Sequence, residues 1–339
     1  MRRATILRLL GVVLVVGFGI YSAYWWVAAG RIKLAAGDWA RAAHDKQIDV
    51  SWQTIRVAGF PFSFRLELGD AVISDRAATP PAELRAPLLS ASIWPWNFRT
   101  IWLAAPDGLS ALAGPDAAPL ATLNAAAGDG AVAIAGDGAA TVWLTLYQPK
   151  IDAGVALSAR TASAWVIVPA HAAASHTDSG LAVAALLTDL ALPAAPAGFG
   201  KAIDELGIGL TMMGNFGSGP LRQAATAWRD SGGTIELDHF QLRWGELGVN
   251  GTGTLALDAD LQPVGGFSGA IAGYDQLMNA LVDAGRLKAS DARVARLALA
   301  MLGKVGPDGR AEISTSLTIQ NGEMFLGPAK LGKAPRIDW

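Results

Sequence analysis

Cysteine is absent from the 339 residues. The chain therefore has no disulfide to staple it and no thiolate to hold zinc or an iron–sulfur cluster. The absence fits an oxidising compartment without requiring one. Charge is scarce as well: Asp, Glu, Lys and Arg make up 17% of the residues, and no run of like charge suits nucleic acid or anionic lipid. Histidine occurs four times. His171 and His176 would diverge by about 140° on a helix of 3.6 residues per turn, and no carboxylate lies between them to complete a zinc site. His44 stands alone on a helical stretch and reads as a solvated side chain. Neither a metal nor a cofactor is expected.

No stretch carries a recognisable reaction chemistry. Gly327-Pro-Ala-Lys-Leu-Gly332-Lys333-Ala334 approaches a phosphate-binding loop. Ala334 replaces the hydroxyl residue that would hold magnesium, and Pro335 blocks the helix whose amino end would face the phosphates. Ser175, His176 and Asp178 are too close in sequence to imply a catalytic triad, whose members meet through the fold. No nucleophile elbow and no carboxylate pair appears. The expectation is a protein that is not an enzyme and has no catalytic residue.

Apolar surface is what the chain has in quantity, at 52% hydrophobic residues. Residues Leu9 to Ala29 contain no charge. As a helix rising about 1.5 Å per residue they cover about 30 Å, the hydrocarbon thickness of a bilayer. Arg2, Arg3 and Arg8 precede the run, and Tyr21, Tyr24, Trp25 and Trp26 gather at its far end. Amphipathic rings suit the water–lipid interface, so these four are the expected membrane-interface residues. A cleaved signal peptide is the competing reading, with Val27-Ala28-Ala29 as a tolerable exit site. The length of the run and its aromatic end favour a retained single-pass anchor, with the short tail in the cytoplasm and the bulk outside. The 24 basic residues after the run face 29 acidic ones, a net of −5.

The rest reads mainly as antiparallel β-structure, a β-rich α+β chain. Residues 1–29 form the tail and anchor, 30–170 an N-terminal β region, 171–232 a connecting region of loop and helix, and 233–339 a C-terminal meander. Asp38 to Lys46 predicts a short separate helix. Ile48 to Trp52, Ile55 with Val57, and Phe62 to Leu68 alternate with period two, broken by Gly59-Phe60-Pro61. Leu88 to Ile93, Phe98 to Leu103 and Thr141 to Tyr147 predict further strands. Ile151 to Leu157 is expected to pair with Thr161 to Val168. Leu181 to Leu192 is ambiguous between strand and helix. Pro220 to Arg229 predicts a helix stopped by Gly232-Gly233.

The clearest pattern lies at 233–271. Ile235 and Leu237 share one parity, while Phe240, Leu242 and Trp244 share the other. One extra residue at Asp238-His239 reconciles them, which predicts a β-bulge. Gly245-Glu246 makes a tight turn. Leu247, Val249, Leu255 and Leu257 continue one apolar face, and Asn250, Thr252, Thr254 and Asp258 the polar one. Gly251 and Gly253 fall on the apolar face and leave room for a neighbouring ring or for something foreign. Val264 to Ile271 adds a third strand. Tyr274, Leu277, Met278, Leu281 and Val282 make one helix face, and Val294, Leu297, Ala298 and Met301 a second, so a helical hairpin is expected at 274–302. Asn321-Gly322 predicts a two-residue hairpin turn before Met324 and Leu326.

Several of these motifs are similar to one family. Tyr24-Trp25-Trp26 with Ala29-Gly30-Arg31, then Val57-Ala58-Gly59-Phe60-Pro61-Phe62, resemble the opening of domain-of-unknown-function family 2125, found in alphaproteobacterial envelope proteins. Trp228, Gly232-Gly233, Leu242-Arg243-Trp244-Gly245, Gly253-Thr-Leu255-Ala-Leu257-Asp258 and Asn321-Gly322-Glu-Met-Phe-Leu326-Gly327-Pro328 resemble its carboxyl half. The ending is similar to the wider AsmA-like group too. The resemblance implies an inner-membrane anchor, a periplasmic body, and a long curved, taco-like β-groove that passes phospholipid. About fifteen strands at about 4.8 Å each would give a groove of ~70 Å.

The expected function is therefore an inner-membrane-anchored periplasmic β-groove protein that binds or hands over phospholipid acyl chains in envelope lipid homeostasis. Membrane lipid is its expected partner, with no nucleic acid. The expected groove lining is Ile235, Leu237, Phe240, Leu242, Trp244, Leu247, Val249, Leu255 and Leu257. The alternative is a non-enzymatic structural or assembly factor of the envelope that grips protein partners instead.

Overall fold

The computed structural model describes residues 2–115, 117–195, 199–285, 287–293, 296, 303–305 and 311–339, with side chains from Gly11 onward. Strand accounts for 51% of the chain and helix for 19%, which makes the fold mainly β. The chain divides into two compact units, Met1–Val132 and Ala133–Trp339.

The first unit begins with one helix, α1 (Arg2–His44). The stretch at 38–46, expected to be a separate helix, is instead the end of α1. Nothing between Ala29 and Asp38 breaks a helix: the segment is rich in Ala, and its two glycines cost only about 1 kcal/mol each. Val12 to Val16, Phe18 and Ile20 of α1 are exposed apolar side chains. A helix this long and apolar is able to serve as a membrane span or a signal sequence.

Strands β1 (Ile48–Ser51) and β2 (Thr54–Ala58) both pair with the long β3 (Phe64–Asp75), each covering half of it. β3 pairs along its length with β4 (Ala82–Trp94). β4 in turn meets β5 (Asn97–Ala105) near its end and β6 (Leu109–Ala113) near its start. β7 (Ala121–Ala125) pairs with β6, and β8 (Ala127–Ile134) with β5. All the registered pairs are antiparallel.

α1 is joined to this sheet by one aromatic knot. Trp25 and Phe64 are each 2% exposed and stack with ring centroids 5.4 Å apart and 15° between planes. The Trp25 indole N–H donates to the Ser63 carbonyl at 3.1 Å. Phe60 lies edge-on to Trp25 at 5.5 Å and to Phe18 at 5.9 Å. Ala29, Ile32, Val57 and Ile93 complete the cluster.

The second unit is a continuous antiparallel sheet. Its strands are β9 (Ala140–Tyr147), β10 (Lys150–Asp152), β11 (Ala156–Ser158), β12 (Thr161–Val168), β13 (Ser179–Ala191), β14 (Ala202–Met213), β15 (Thr234–Trp244), β16 (Leu247–Leu257), β17 (Pro263–Ala272), β18 (Lys304–Val305), β19 (Ala311–Gln320), β20 (Glu323–Leu326) and β21 (Ala329–Lys333). The spatial order is β9-β12-β13-β14-β15-β16-β17-β19-β20-β21. The pairing expected between 151–157 and 161–168 does not form. β10 and β11 pair with each other, while β12 is flanked by β9 and β13. Residues 181–192 resolve as strand: β13 has neighbours on both sides, so every backbone donor of its interior finds a ladder partner.

Local expectations hold closely around 233–271. β15 carries the bulge, with Asp238 and His239 between Leu237, opposite Gly253, and Phe240, opposite Gly251. Trp244 faces Leu247 across the two-residue turn, where Gly245 has φ +59°. Gln320 faces Glu323 across Asn321-Gly322, with φ values of 54° and 71°, the left-handed pair a primed hairpin turn requires. Helix α2 (Leu221–Asp230) docks through Ala224, Ala225 and Trp228, whose indole N–H donates to the Met213 carbonyl at 2.7 Å. A Cβ on Gly233 would sit 2.2 Å from that indole, so glycine is required there. Helix α3 (Tyr274–Asp283) is the first half of the expected helical hairpin. Val294, Leu297, Ala298 and Met301, the expected stripe of its second half, lie outside the described residues.

Candidate functional site: an apolar sheet face with a glycine-floored cleft

The bulge in β15 puts Ile235, Leu237, Phe240, Leu242 and Trp244 on one side of the sheet, and the register carries that side across its neighbours. One cross-strand row runs Val183, Leu210, Leu237, Gly253, Phe267, Leu317, Leu326. The next runs Leu181, Met212, Ile235, Leu255, Gly265, Ile319, Met324. Another runs Leu206, Leu242, Val249, Ile271, Ile313. The opposite face carries Glu205, Thr211, Glu236, Gln241, Arg243, Asn250, Thr252 and Thr254 over the same strands. Hydrogen bonds and ion pairs knit that polar side, with Arg243 to Glu205 at 2.9 Å and Thr211 to Asp238 at 2.7 Å.

The apolar face is not sealed. Ile235, Leu237, Phe240, Leu242, Trp244, Val249, Leu255 and Leu257 are all half-buried. Leu247 alone of the expected lining is fully buried, at 6% exposure. α3 accounts for that: its Gln276 side-chain oxygen accepts from the backbone N–H of Glu246 at 2.9 Å and of Leu247 at 3.1 Å, which holds the helix over this end of β16. Trp244 is pinned as well. Its ring stacks on Phe199 at 4.5 Å and its N–H donates to the Gly200 carbonyl at 2.9 Å. The end of the face near the Gly245 turn is therefore occupied by the protein's own groups.

The middle of the face holds an open apolar cleft of about 430 Å³, within the range of small-molecule sites. Leu237, Phe240 and Val249 of the expected lining border it. Ile235, Leu242, Trp244, Leu247, Leu255 and Leu257 share the face but not the cleft. The remaining wall was not anticipated: Phe267 and Ile271 from β17, Leu317 and Ile319 from β19, and Leu326 from β20. Their signal was the same period-two alternation, at Val264–Ile271 and Ile313–Ile319.

Two glycines make the hollow. Gly251 and Gly269 are Cα partners on adjacent strands, between Phe240 on one side and Thr315 on the other. With no side chain on either, the floor of the cleft is bare backbone. A Cβ on Gly269 would lie 2.2 Å from the Asn250 carbonyl oxygen, so that strand approach excludes any larger residue. The space above Gly253 is used differently, since the Phe267 ring covers it. Of the two expected gaps, one thus takes a neighbouring ring and the other stays open.

The four expected membrane-interface residues part company. Tyr24 and Trp26 are exposed, while Tyr21 is half-buried with its hydroxyl donating to the Pro61 carbonyl. Trp25 is turned inward to the knot with Phe64. Among the described residues no group of three or more His, Asp or Glu converges as a metal site. Asp178 serves the loop that carries Ser175 and His176. Its carboxylate accepts the backbone N–H groups of Ala174 and Ser175 at 3.1 and 2.9 Å and so pins the loop; those bonds hold its pKa below the usual carboxylate range.

A long apolar N-terminal helix followed by a large antiparallel sheet defines the class: a β-rich protein with a helix able to serve as a membrane span or a signal sequence. Within that class the chain belongs to a family of uncharacterized proteins conserved in bacteria (DUF2125), whose profile matches residues 25–335. No curated protein and no solved structure matches the chain.

Proposed function

We propose that the chain is held in the bacterial inner membrane by α1, with its body in the periplasm, and that the cleft on the strands of its second unit accepts a phospholipid acyl chain. The observation that carries the reading is the uncovered apolar face with its glycine-floored hollow. Lipid tails are apolar, narrow and flexible, and need no polar partner, which matches a cleft walled by Leu, Ile, Val and Phe. Open apolar surface of this extent is costly in water and marks an interaction site. The reading is of a binding and hand-over protein in envelope lipid homeostasis, acting without catalysis.

The test uses the full chain in phospholipid vesicles containing a lipid with a photoreactive acyl tail. Cross-links are expected on the peptide segments that wall the cleft, as well as on α1. Val249→Asp places a carboxylate beside the hollow and should remove the cleft cross-links. Thr252→Asp, on the polar face of the same strand, should leave them. Cross-links confined to α1 in the unmodified chain would refute acyl binding and return the alternative, a scaffold for envelope proteins.

A further inference from the structure

The loop between β2 and β3 is fixed beside the apolar run of α1. Phe60 touches Phe18, Tyr21 and Trp25. These positions precede Arg31, the first charge after the run, by 6 to 13 residues, or about 9–20 Å along the helix. A span needs about 20 apolar residues, and Arg8 and Arg31 bracket the stretch that can supply them. Immersing that stretch carries the Phe60 loop into the same leaflet.

The loop is built for such a place. Non-helical backbone survives at membrane depth only where its polar groups are satisfied internally. Tyr21 donates to the Pro61 carbonyl and Trp25 to the Ser63 carbonyl. The Gly59 carbonyl accepts the N–H groups of Phe62 and Ser63 at 3.0 and 2.9 Å, and Pro61 has no N–H to satisfy. Phe62 is nevertheless 70% exposed. Beside it stands the tip of the β4–β5 hairpin, Trp94-Pro95-Trp96, with Trp96 64% exposed. A cleft of about 330 Å³ between Phe62, Arg65, Trp94 and Trp102 joins loop and tip. The tip is tied to α1 as well, through Ile93, which packs on the Trp25–Phe64 cluster. From Gly59 to Leu66 the only charge is Arg65, and from Ala86 to Pro106 the only charge is Arg99. Aromatic rings flanked by cations suit the headgroup boundary; the nearby carboxylate, Glu67, is neutralised by Arg65 at 3.8 Å and by Arg56.

We propose that the Gly59–Ser63 loop and the Trp94–Trp96 hairpin tip form a second membrane contact, dipping into the leaflet on the side of the β-rich body. The occupant of this aromatic surface is the bilayer itself. The inference rests on the reading that α1 remains in the membrane.

The absence of cysteine makes the test direct. Single variants Phe62→Cys and Trp96→Cys carry a nitroxide in the full chain, reconstituted in vesicles of zwitterionic and anionic phospholipid. Val13→Cys reports on α1 and Asp137→Cys on a turn in water. Collision with oxygen, which concentrates in lipid, is compared with collision with a water-soluble nickel complex. The oxygen-to-nickel ratio at 62 and 96 is expected to rise severalfold above that at 137. A lipid-like ratio at 13 with a water-like ratio at 62 and 96 would overturn the second contact and leave the anchor standing. Access to neither reagent at 62 and 96 would overturn it in favour of a protein partner or a second copy. A water-like ratio at 13 would remove the anchor, and the proposal with it.

Discussion

Trp25→Ala is the sharpest perturbation of the first unit. It removes an indole that is 2% exposed, a ring stack at 5.4 Å on Phe64, and the donor at 3.1 Å to the Ser63 carbonyl. Truncating a buried Trp to Ala typically costs about 3–5 kcal/mol. The stack contributes about 0.5–1.5 kcal/mol of that beyond area, and a stranded carbonyl about 1–3 kcal/mol. The terms overlap, so about 4 kcal/mol is the expected loss, a large share of a domain's usual 5–15 kcal/mol. Trp25→Phe keeps the stack and loses the donor, for about 1–2 kcal/mol. Trp26→Ala, next in sequence and 69% exposed, loses an edge-on contact with Trp25 at 5.5 Å and should cost only about 0.5–1 kcal/mol. The assay is pulse proteolysis of the full chain in mild detergent across a guanidinium series, with fragments of residues 1–132 assigned by mass. A shared midpoint for Trp25→Ala and Trp26→Ala would mean that α1 is not docked on the sheet.

Further outcomes follow from other elements. Gly322→Ala places a Cβ at φ +71° and should cost about 1–2 kcal/mol, seen as a lower unfolding midpoint of the second unit; Gln320→Ala beside it should be nearly silent. Deleting His239 removes the bulge and should turn Ile235 and Leu237 to the polar face, abolishing hydrogen-exchange protection along β15, whereas His239→Ala should keep it. The Arg85 guanidinium beside Glu83, with a further bond from Ser74 at 2.9 Å, holds the Glu83 carboxyl below the usual carboxylate range. A depressed folded pKa means stability that is complete above the unfolded value, near pH 4.3, and drains away as pH falls through the folded one. Glu83→Gln should flatten the first unit's stability profile below about pH 4.5 and leave that above pH 6 unsloped. The intact mass of the chain purified from membranes should include residues 1–29; a mass beginning at Gly30 would mean cleavage.

Where neighbouring residues decided the structure, the sequence was enough. The parity break between Leu237 and Phe240 can be reconciled only by an extra residue, and the bulge sits at Asp238-His239. Asn321-Gly322 is favoured in both left-handed positions of its turn, and the hairpin closes there. Partner choice was a different matter. Period two tells which face a residue takes but not which strand lies beside it: nearness in sequence pairs β12 with 151–157, whereas its neighbours are β9 and β13. The cleft was half legible for the same reason. Gly251 was visible as a gap on β16, but the hollow needs Gly269 opposite it on β17, and that is a fact of register. The Trp25 knot was hidden because a tryptophan at the end of an apolar helix satisfies the pattern for an interface residue whether it faces lipid or protein.

That ambiguity bears on how the N-terminal helix should be understood. A signal sequence is discarded, so nothing in the mature fold can depend on it. Here cleavage after Ala29 would remove Trp25 and leave Phe64 facing water, with the Ser63 and Pro61 carbonyls deprived of both donors from α1. Ala29 is itself 5% exposed within the same cluster, inside an unbroken helix. The family match also opens at Trp25, inside the helix and not after it. A stacked Trp–Phe pair that straddles the proposed cut favours a sheet folded onto a retained helix. On the reading that α1 stays in the membrane, the helix would do more than tether: it would set the depth at which the Phe60 loop and the Trp96 tip meet the bilayer.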